Sequence, residues 1–408
     1  MDHDHEEDRQ NLGSAATAAP ARPDREWVKR GHPWLHLVPP LPAPPEDGAL
    51  RSMDLGPLDL ELGGHLSAVT LAFRTWGRLN AAGDNAVLVL HALTGDSRAA
   101  GEGGWWEPLI GPGRAIDTDR AFVLCANVVG GCQGSTGPSS IDPLTGRPYA
   151  MRFPLITIGD MVAAQRRLVE RLGITRLVAI GGSIGGFQAL EWATRHPDMV
   201  SASAPIAASP ALGPQQIALN EAGRRAVMTD PNWRGGEYND EGVFPAEGLA
   251  IARMIAMVTF QSRESMDARF ARKPATRPSI YPAFGGTFDV EGYIHYHGAS
   301  LVRRFDANSH LYLTRAMDLY DLGRDGGEPM WLDRLAAPML LVGVRSDWLF
   351  PPDDVRALGE RIAAAGRPVE YVEIDSPEGH DAFLKEWDAL TRAIRPLVDA
   401  ALPDSGPR

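Results

Sequence analysis

The chain reads as an α/β protein: a mostly parallel sheet covered by helices on both faces, with a helical segment inserted late in the sheet. Three observations carry that expectation. Short, almost wholly apolar runs recur, such as Ala86–His91 (AVLVLH) and Phe122–Val128 (FVLCANV), as expected of strands buried on both faces. Helical patterns alternate with them, which is the sequence of events that makes a parallel sheet. Between residues 210 and 330 the rhythm turns helical, in IALNEAGRRAVM, GLAIARMIAMV and SHLYLTRAMDLYDL, with no clear buried strand.

Taken in order, residues 1–48 are rich in Ala, Pro, Asp and Glu and end in PPLPAPPEDG, a composition expected to form a disordered, proline-rich leader. The core is expected in two parts, 49–209 and 331–402, separated by a helical lid over 210–330 and followed by a tail at 403–408. Strands are expected at Leu60–Leu62, Ser67–Thr75, Ala86–His91 and Phe122–Val128. A glycine-rich loop, GGCQGSTGPSS, follows the last of these. Gly159–Leu172 has the spacing of an amphipathic helix, leading to a strand at Leu177–Ile180. Further strands are expected at Ala202–Ala208, Pro338–Val344 and Val369–Ile374, the last two followed by helices at Asp353–Ala364 and Ala382–Ala400.

The chain has 408 residues, is 44% hydrophobic and carries a formal charge of −12. It can bury a large core, and its acidity argues against nucleic-acid or membrane-surface partners. No apolar run approaches the about 18 residues of a transmembrane helix, and the acidic start MDHDHEEDRQ is unlike a secretory signal. Two cysteines, Cys125 and Cys132, cannot make a disulfide framework and fit a reducing cytoplasm. Their C-x6-C spacing matches no metal pattern, so no metal is expected. His3 and His5 are read as part of a solvated tail.

The chemistry centres on Leu177–Trp192, LVAIGGSIGGFQALEW. Here G-x-S-x-G lies between a buried strand and a helix that resumes at Phe187, the setting in which the serine becomes a nucleophile. Crowding at such a turn demands glycines around Ser183, and the helix N-terminus favours developing negative charge. A serine hydroxyl needs a base oriented by a carboxylate. His380, in the loop after the last expected strand, is the only histidine beyond position 310. Asp347 lies three residues past Val344, whereas Asp353 and Asp354 read as helix-start residues and Asp375 as a turn residue. The order Ser183, Asp347, His380 is that of a triad placed on strand ends. An oxyanion is expected to be held by the backbone N–H groups of Ile184 and Leu93, with His91 as a hydrogen-bonded support.

Together LVLHALTGDS, NVVGGCQGSTGPSS, IGGSIGGFQALEW, GLAIAR, RRFDANSHLYLTRAMDLYDLGR and GHDAF resemble the homoserine O-acetyltransferase family of α/β-hydrolase-fold acyltransferases, in family order from about residue 55 to 400. The resemblance implies an α/β-hydrolase fold and transfer of acetyl from acetyl-CoA, a co-substrate rather than a bound cofactor, to L-homoserine in methionine biosynthesis, by a ping-pong route through acyl-Ser183. It further implies a cytoplasmic homodimer joined through lid helices, an arginine at Arg253 and an aspartate at Asp381 that contact the amino-acid acceptor, and in Gln133 a feature of the acetyl-using branch. Trp105 and Trp106 are expected near the entrance, at least one of them as core. The chain departs from the family where a GHITY-like segment is usual: Met257 and Phe260 stand in place of its histidine and tyrosine. That departure keeps serine acetylation, succinyl transfer and ester hydrolysis open as alternatives.

Overall fold

The computed structural model describes residues 48–238, 243–275 and 286–403; the leader over 1–47 and the tail over 404–408 lie outside them. Eight strands form one sheet: β1 (Arg51–Asp54), β2 (Thr70–Trp76), β3 (Ala86–Leu90), β4 (Phe122–Ala126), β5 (Leu177–Gly182), β6 (Val200–Ile206), β7 (Met339–Val344) and β8 (Val369–Ile374). Their order is β1-β2-β4-β3-β5-β6-β7-β8. Pairing is antiparallel at β1–β2 and β2–β4 and parallel across the rest.

Alternation along β3 explains why its whole sequence is apolar. Val87 and Val89 point into one core with Trp106 and Val123, whereas Leu88 and Leu90 point into the other with Leu124 and Phe187. All are at most 2% exposed. A strand buried on both faces has no polar side to show, and truncating Leu88 to Ala there would cost about 2–5 kcal/mol.

Helix α1 (Ile158–Arg171) starts at a capping box. Thr157 Oγ1 accepts from the Asp160 N–H, and Asp160 Oδ2 accepts from the Thr157 N–H, satisfying two donors that the first turn leaves free. It packs on α2 (Ile184–Arg195), the helix behind the serine turn. Between β6 and β7 come α3 (Pro214–Thr229), α4 (Ala246–Phe260), α5 (Arg263–Arg269), α6 (Asp289–Arg304), α7 (Ala307–Asp318) and α8 (Glu328–Arg334). There α4 packs against both α3 and α6, and α3 against α7. α9 (Pro352–Ala364) and α10 (Trp387–Ala401) complete the chain.

Three expectations about elements need correction. Leu60–Leu62 is not a strand: Glu61 and Leu62 sit in a turn, and the pairing falls on either side, Leu58–Asp59 with His65–Leu66. The helix after the serine begins at Ile184 rather than Phe187, because its first residues are the glycine-rich turn itself. The last helix does not run from Ala382: Gly379–Leu384 is a 3-10 turn, and the helix restarts at Trp387. Apolar spacing alone could not separate the two, since the break serves to place His380 and Phe383 in the interior.

Candidate active site

At the end of β5, Ser183 has φ 59° and ψ −125°, a left-handed conformation rarely adopted outside glycine. The sequence around it permits this. A Cβ at Gly185 would stand 2.1 Å from the Leu90 carbonyl oxygen, so only glycine lets α2 start this close to β3. The Ser183 N–H donates to the Ile206 carbonyl at 3.0 Å, tying the turn to β6. Ser183 is 6% exposed. Ile184 follows as the first helical residue, where N–H groups lack intrahelical acceptors.

Asp347 and His380 come together from two neighbouring strand ends. His380 Nδ1 donates to Asp347 Oδ2 at 2.7 Å, and the other carboxylate oxygen accepts from the N–H groups of Leu349 and Phe350, each at 2.9 Å. Three donors thus hold Asp347 in a buried position. Because Asp347 accepts, Nδ1 carries the hydrogen and Nε2 is left with its lone pair, the form a general base needs. Nε2 is buried without a hydrogen bond in the chain. The ring lies among Phe260, Phe350 and Phe383, at centroid distances of 5.7, 5.1 and 5.4 Å. Phe383 also covers Gly182, linking the histidine loop to the serine turn. Ser346 Oγ accepts from the Gly379 N–H at 3.0 Å and donates to the Ser376 carbonyl at 2.6 Å, so the two loops move as one. Gly379 has φ +66°, and a Cβ there would be 2.6 Å from the Ser262 nitrogen; the loop carrying His380 touches the end of α4 only because this residue is glycine.

The alternative carboxylates lie elsewhere. Asp353 and Asp354 are exposed in the first turn of α9, and Asp375 is exposed and paired with Arg345 at 2.5 Å. Leu93 lines the same cavity as Ser183, in a turn closed by the Gly95 N–H to the Ala92 carbonyl at 2.9 Å. His91 braces that turn: Nε2 accepts from the Val128 N–H at 3.3 Å, which leaves Nδ1–H to donate to the Ala92 carbonyl at 2.9 Å. Burial lowers its pKa, keeping it neutral in this role. Trp106 is fully buried, its indole N–H donating to the Phe383 carbonyl at 2.8 Å, whereas Trp105 is half-buried and donates to the Asp96 carbonyl.

Arg253 and Asp381 flank this centre. Arg253, on α4, stacks over Phe260 at 5.3 Å and reaches Thr94 Oγ1 at 3.4 Å. Its pKa is brought down to about 10, first by burial and then by Arg304; it remains a cation at neutral pH. Arg304 donates to the Thr94 carbonyl. Asp381 Oδ2 accepts from Gln261 Nε2 at 2.6 Å. Burial raises its pKa, against the pull of Lys385, Arg253 and His380. The structure therefore places a cation and a carboxylate on the helical side of Phe260, joined by field rather than by a direct ion pair. Gln261, Thr94 and Arg304 escaped the sequence reading, because each takes part only through helices brought over the sheet. Gln133 Nε2 donates to the Arg304 carbonyl at 3.0 Å, so it supports this helix end. Among the described residues no group of three or more His, Cys, Asp or Glu side chains could hold a metal ion, and no helix is long and apolar enough to cross a membrane.

Comparison with known proteins agrees with this arrangement. Residues 85–386 match the model of the alpha/beta hydrolase fold family. The chain is 52% identical over 349 residues to a homoserine O-acetyltransferase of Symbiobacterium thermophilum, covering 83% of this chain and 91% of that one. Among solved structures, a homoserine O-acetyltransferase from Bacillus anthracis superposes with a TM-score of 0.80 at 27% identity, covering 87% of this chain and 98% of that one. Esterase E22 superposes almost as well, with a TM-score of 0.79 at 27% identity over 86% of this chain and 99% of the other.

Proposed function

This chain belongs to the homoserine O-acetyltransferase family, and we propose that it transfers acetyl from acetyl-CoA to the hydroxyl of L-homoserine through an acyl-serine, a step of methionine biosynthesis. The observation that carries the reading is the pair Arg253 and Asp381 set beside a histidine whose Nε2 is free to act as base. A zwitterionic acceptor needs a cation for its carboxylate and an anion for its ammonium; a simple ester does not.

In the first half-reaction His380 Nε2 takes the proton of Ser183 as Oγ attacks the thioester carbon. The oxyanion is received by the N–H groups of Ile184 and Leu93, and the imidazolium, steadied by Asp347, returns the proton to the departing thiolate. In the second half-reaction the acceptor hydroxyl gives its proton to Nε2, attacks the acyl carbon and releases Ser183. The helices over 210–330 act as a lid that keeps water from the acyl-enzyme. Two such chains pair through this segment in our reading. Ile251 and Val258, seven residues apart on α4, are 44% and 49% exposed, which supports a covered face there. The reaction calls for no bound cofactor, and the compartment is the cytoplasm.

The resemblance to an esterase favours hydrolysis as the second reading. Serine in place of homoserine, and succinyl in place of acetyl, remain alternatives within the transferase reading because Phe260 lacks the family's tyrosine hydroxyl. One experiment tests all of these: thiol release from acetyl-CoA and succinyl-CoA, each with homoserine, serine or water. Homoserine with acetyl-CoA should exceed every other pair; release independent of any amino acid would mean a hydrolase.

A further inference from the structure

The acyl carbon held at Ser183 has four substituents in the tetrahedral state. Ser183 Oγ is one, and the oxyanion is the second. The third is the sulfur or oxygen that exchanges a proton with His380, on the side of Arg253 and Asp381. The fourth, the rest of the acyl chain, is left with the cavity that opens from Ser183 between α3, α4 and α7. Its walls include Leu219, Ile255, Met317 and Phe350, and with its opening it holds about 590 Å³ of space not filled by atoms. A methyl group needs far less.

The polar groups on these walls are mostly spent on the protein itself. Gln216 Nε2 donates to the Leu349 carbonyl and Asn220 Nδ2 to Asp318, while the Thr259 and Thr314 hydroxyls donate to carbonyls in their own helices. His310 differs. It lines the same cavity from α7, is 4% exposed, and its Nδ1 is buried without a partner. A buried polar atom left unpaired costs about 1–3 kcal/mol, and a bound oxygen would relieve that cost.

We propose that this cavity is an acyl pocket admitting uncharged short-chain acyl groups longer than acetyl, and that His310 hydrogen-bonds an oxygen on the third carbon of such a group. Butyryl and 3-hydroxybutyryl are the class. The inference rests on the reading of Ser183 as an acyl carrier. The step is the same transfer: the Ser183 Oγ–acyl bond forms as the carbon–sulfur or carbon–oxygen bond of the donor breaks, and the serine proton passes by way of His380 to the leaving group. A terminal carboxylate, as in succinyl, fits poorly. Burial, then Arg253 and Arg224, bring the His310 pKa down to about 4, so it offers a hydrogen bond but no charge. Arg224 is already paired with Asp318 at 2.6 Å and with Glu221 at 2.9 Å. A carboxylate would be desolvated without a cation of its own.

The test uses p-nitrophenyl esters of acetic, butyric, 3-hydroxybutyric and succinic acids, reading the burst of nitrophenolate that reports acylation without any acceptor. Butyrate and 3-hydroxybutyrate should acylate within about tenfold of acetate, 3-hydroxybutyrate ahead of butyrate, and hemisuccinate about a hundredfold behind. His310→Phe should reverse the order of 3-hydroxybutyrate and butyrate, and His310→Gln, which keeps a hydrogen-bonding group, should restore it; the ratio is insensitive to loss of folded enzyme. A burst with acetate and none with either four-carbon ester overturns the pocket. A ratio unchanged in both variants overturns the role of His310. Failure of homoserine to speed turnover after a normal acetate burst would instead overturn the amino-acid transfer reading and leave the pocket standing.

Discussion

Asp347 and Asp381 both stand beside His380, and they are held in opposite ways. Asp347, on a strand-end loop, receives three hydrogen bonds, two of them from backbone N–H groups of its own loop. Asp381 sits against the helical segment with one side-chain amide as its hydrogen-bond partner, Gln261, and its charge is opposed chiefly by burial. The same contrast separates the two halves of the site. The half on the sheet is made by backbone geometry and changes little with side-chain identity around it. The half on the helices is made by side chains from α4, the loop before α5 and the 3-10 turn, and is where selectivity can vary at small cost to the fold.

The contrast is broken most directly at the serine. Ser183→Ala should lower CoA release from acetyl-CoA by at least about 10⁴-fold while acceptor binding persists; substantial turnover would remove the sheet half from the chemistry. Next in size, Arg253→Ala should raise the acceptor KM about 10- to 100-fold with the acylation burst intact. An unchanged KM would mean that the helical half does not hold the acceptor carboxylate.

Asp381→Asn separates function from stability. Burial raises the Asp381 pKa, so the folded state holds this proton more tightly than the unfolded chain does. Its contribution to stability is therefore greatest below the unfolded carboxylate pKa of about 3.9 and declines as pH rises through the higher folded value. At neutral pH the charge is a cost, and the amide should raise Tm slightly while raising the acceptor KM. A lowered Tm with unchanged KM would reverse both assignments. In the wild-type chain the acceptor KM should also climb as pH falls toward that raised pKa. The smallest effect is expected from Phe260→Tyr, which returns a hydroxyl beside Arg253 and His380. Homoserine kcat/KM should improve about 2- to 10-fold; no gain, or a loss, would show a pocket shaped for another acceptor.

Much of the sheet half was legible along the chain. The serine turn is a local event in which strand, glycines and helix are contiguous, and Asp347 and His380 follow from one geometric requirement, a residue just beyond each of two successive strands. Where reading failed, short pieces depended on distant partners. Arg51–Asp54 becomes a strand only by pairing with Leu71 and its neighbours, and Leu60–Leu62 has strand-like residues but lies at a turn. The break before Trp387 was hidden because Phe383 and Leu390 fit one helical face as well as two separate elements.

By itself the sequence determined the order of strands and helices, the nucleophilic turn and the residues eligible to serve it, since these follow from spacing within short windows. Tertiary structure alone decided which polar groups meet: that Gln261 holds Asp381, that Arg253 and Arg304 converge on Thr94, and that His310 enters the cavity beside Ser183 without a partner for Nδ1. Those residues are separated by tens to hundreds of positions. Their meeting depends on how α3, α4, α6 and α7 pack over the sheet, and no local pattern of apolar residues encodes that register.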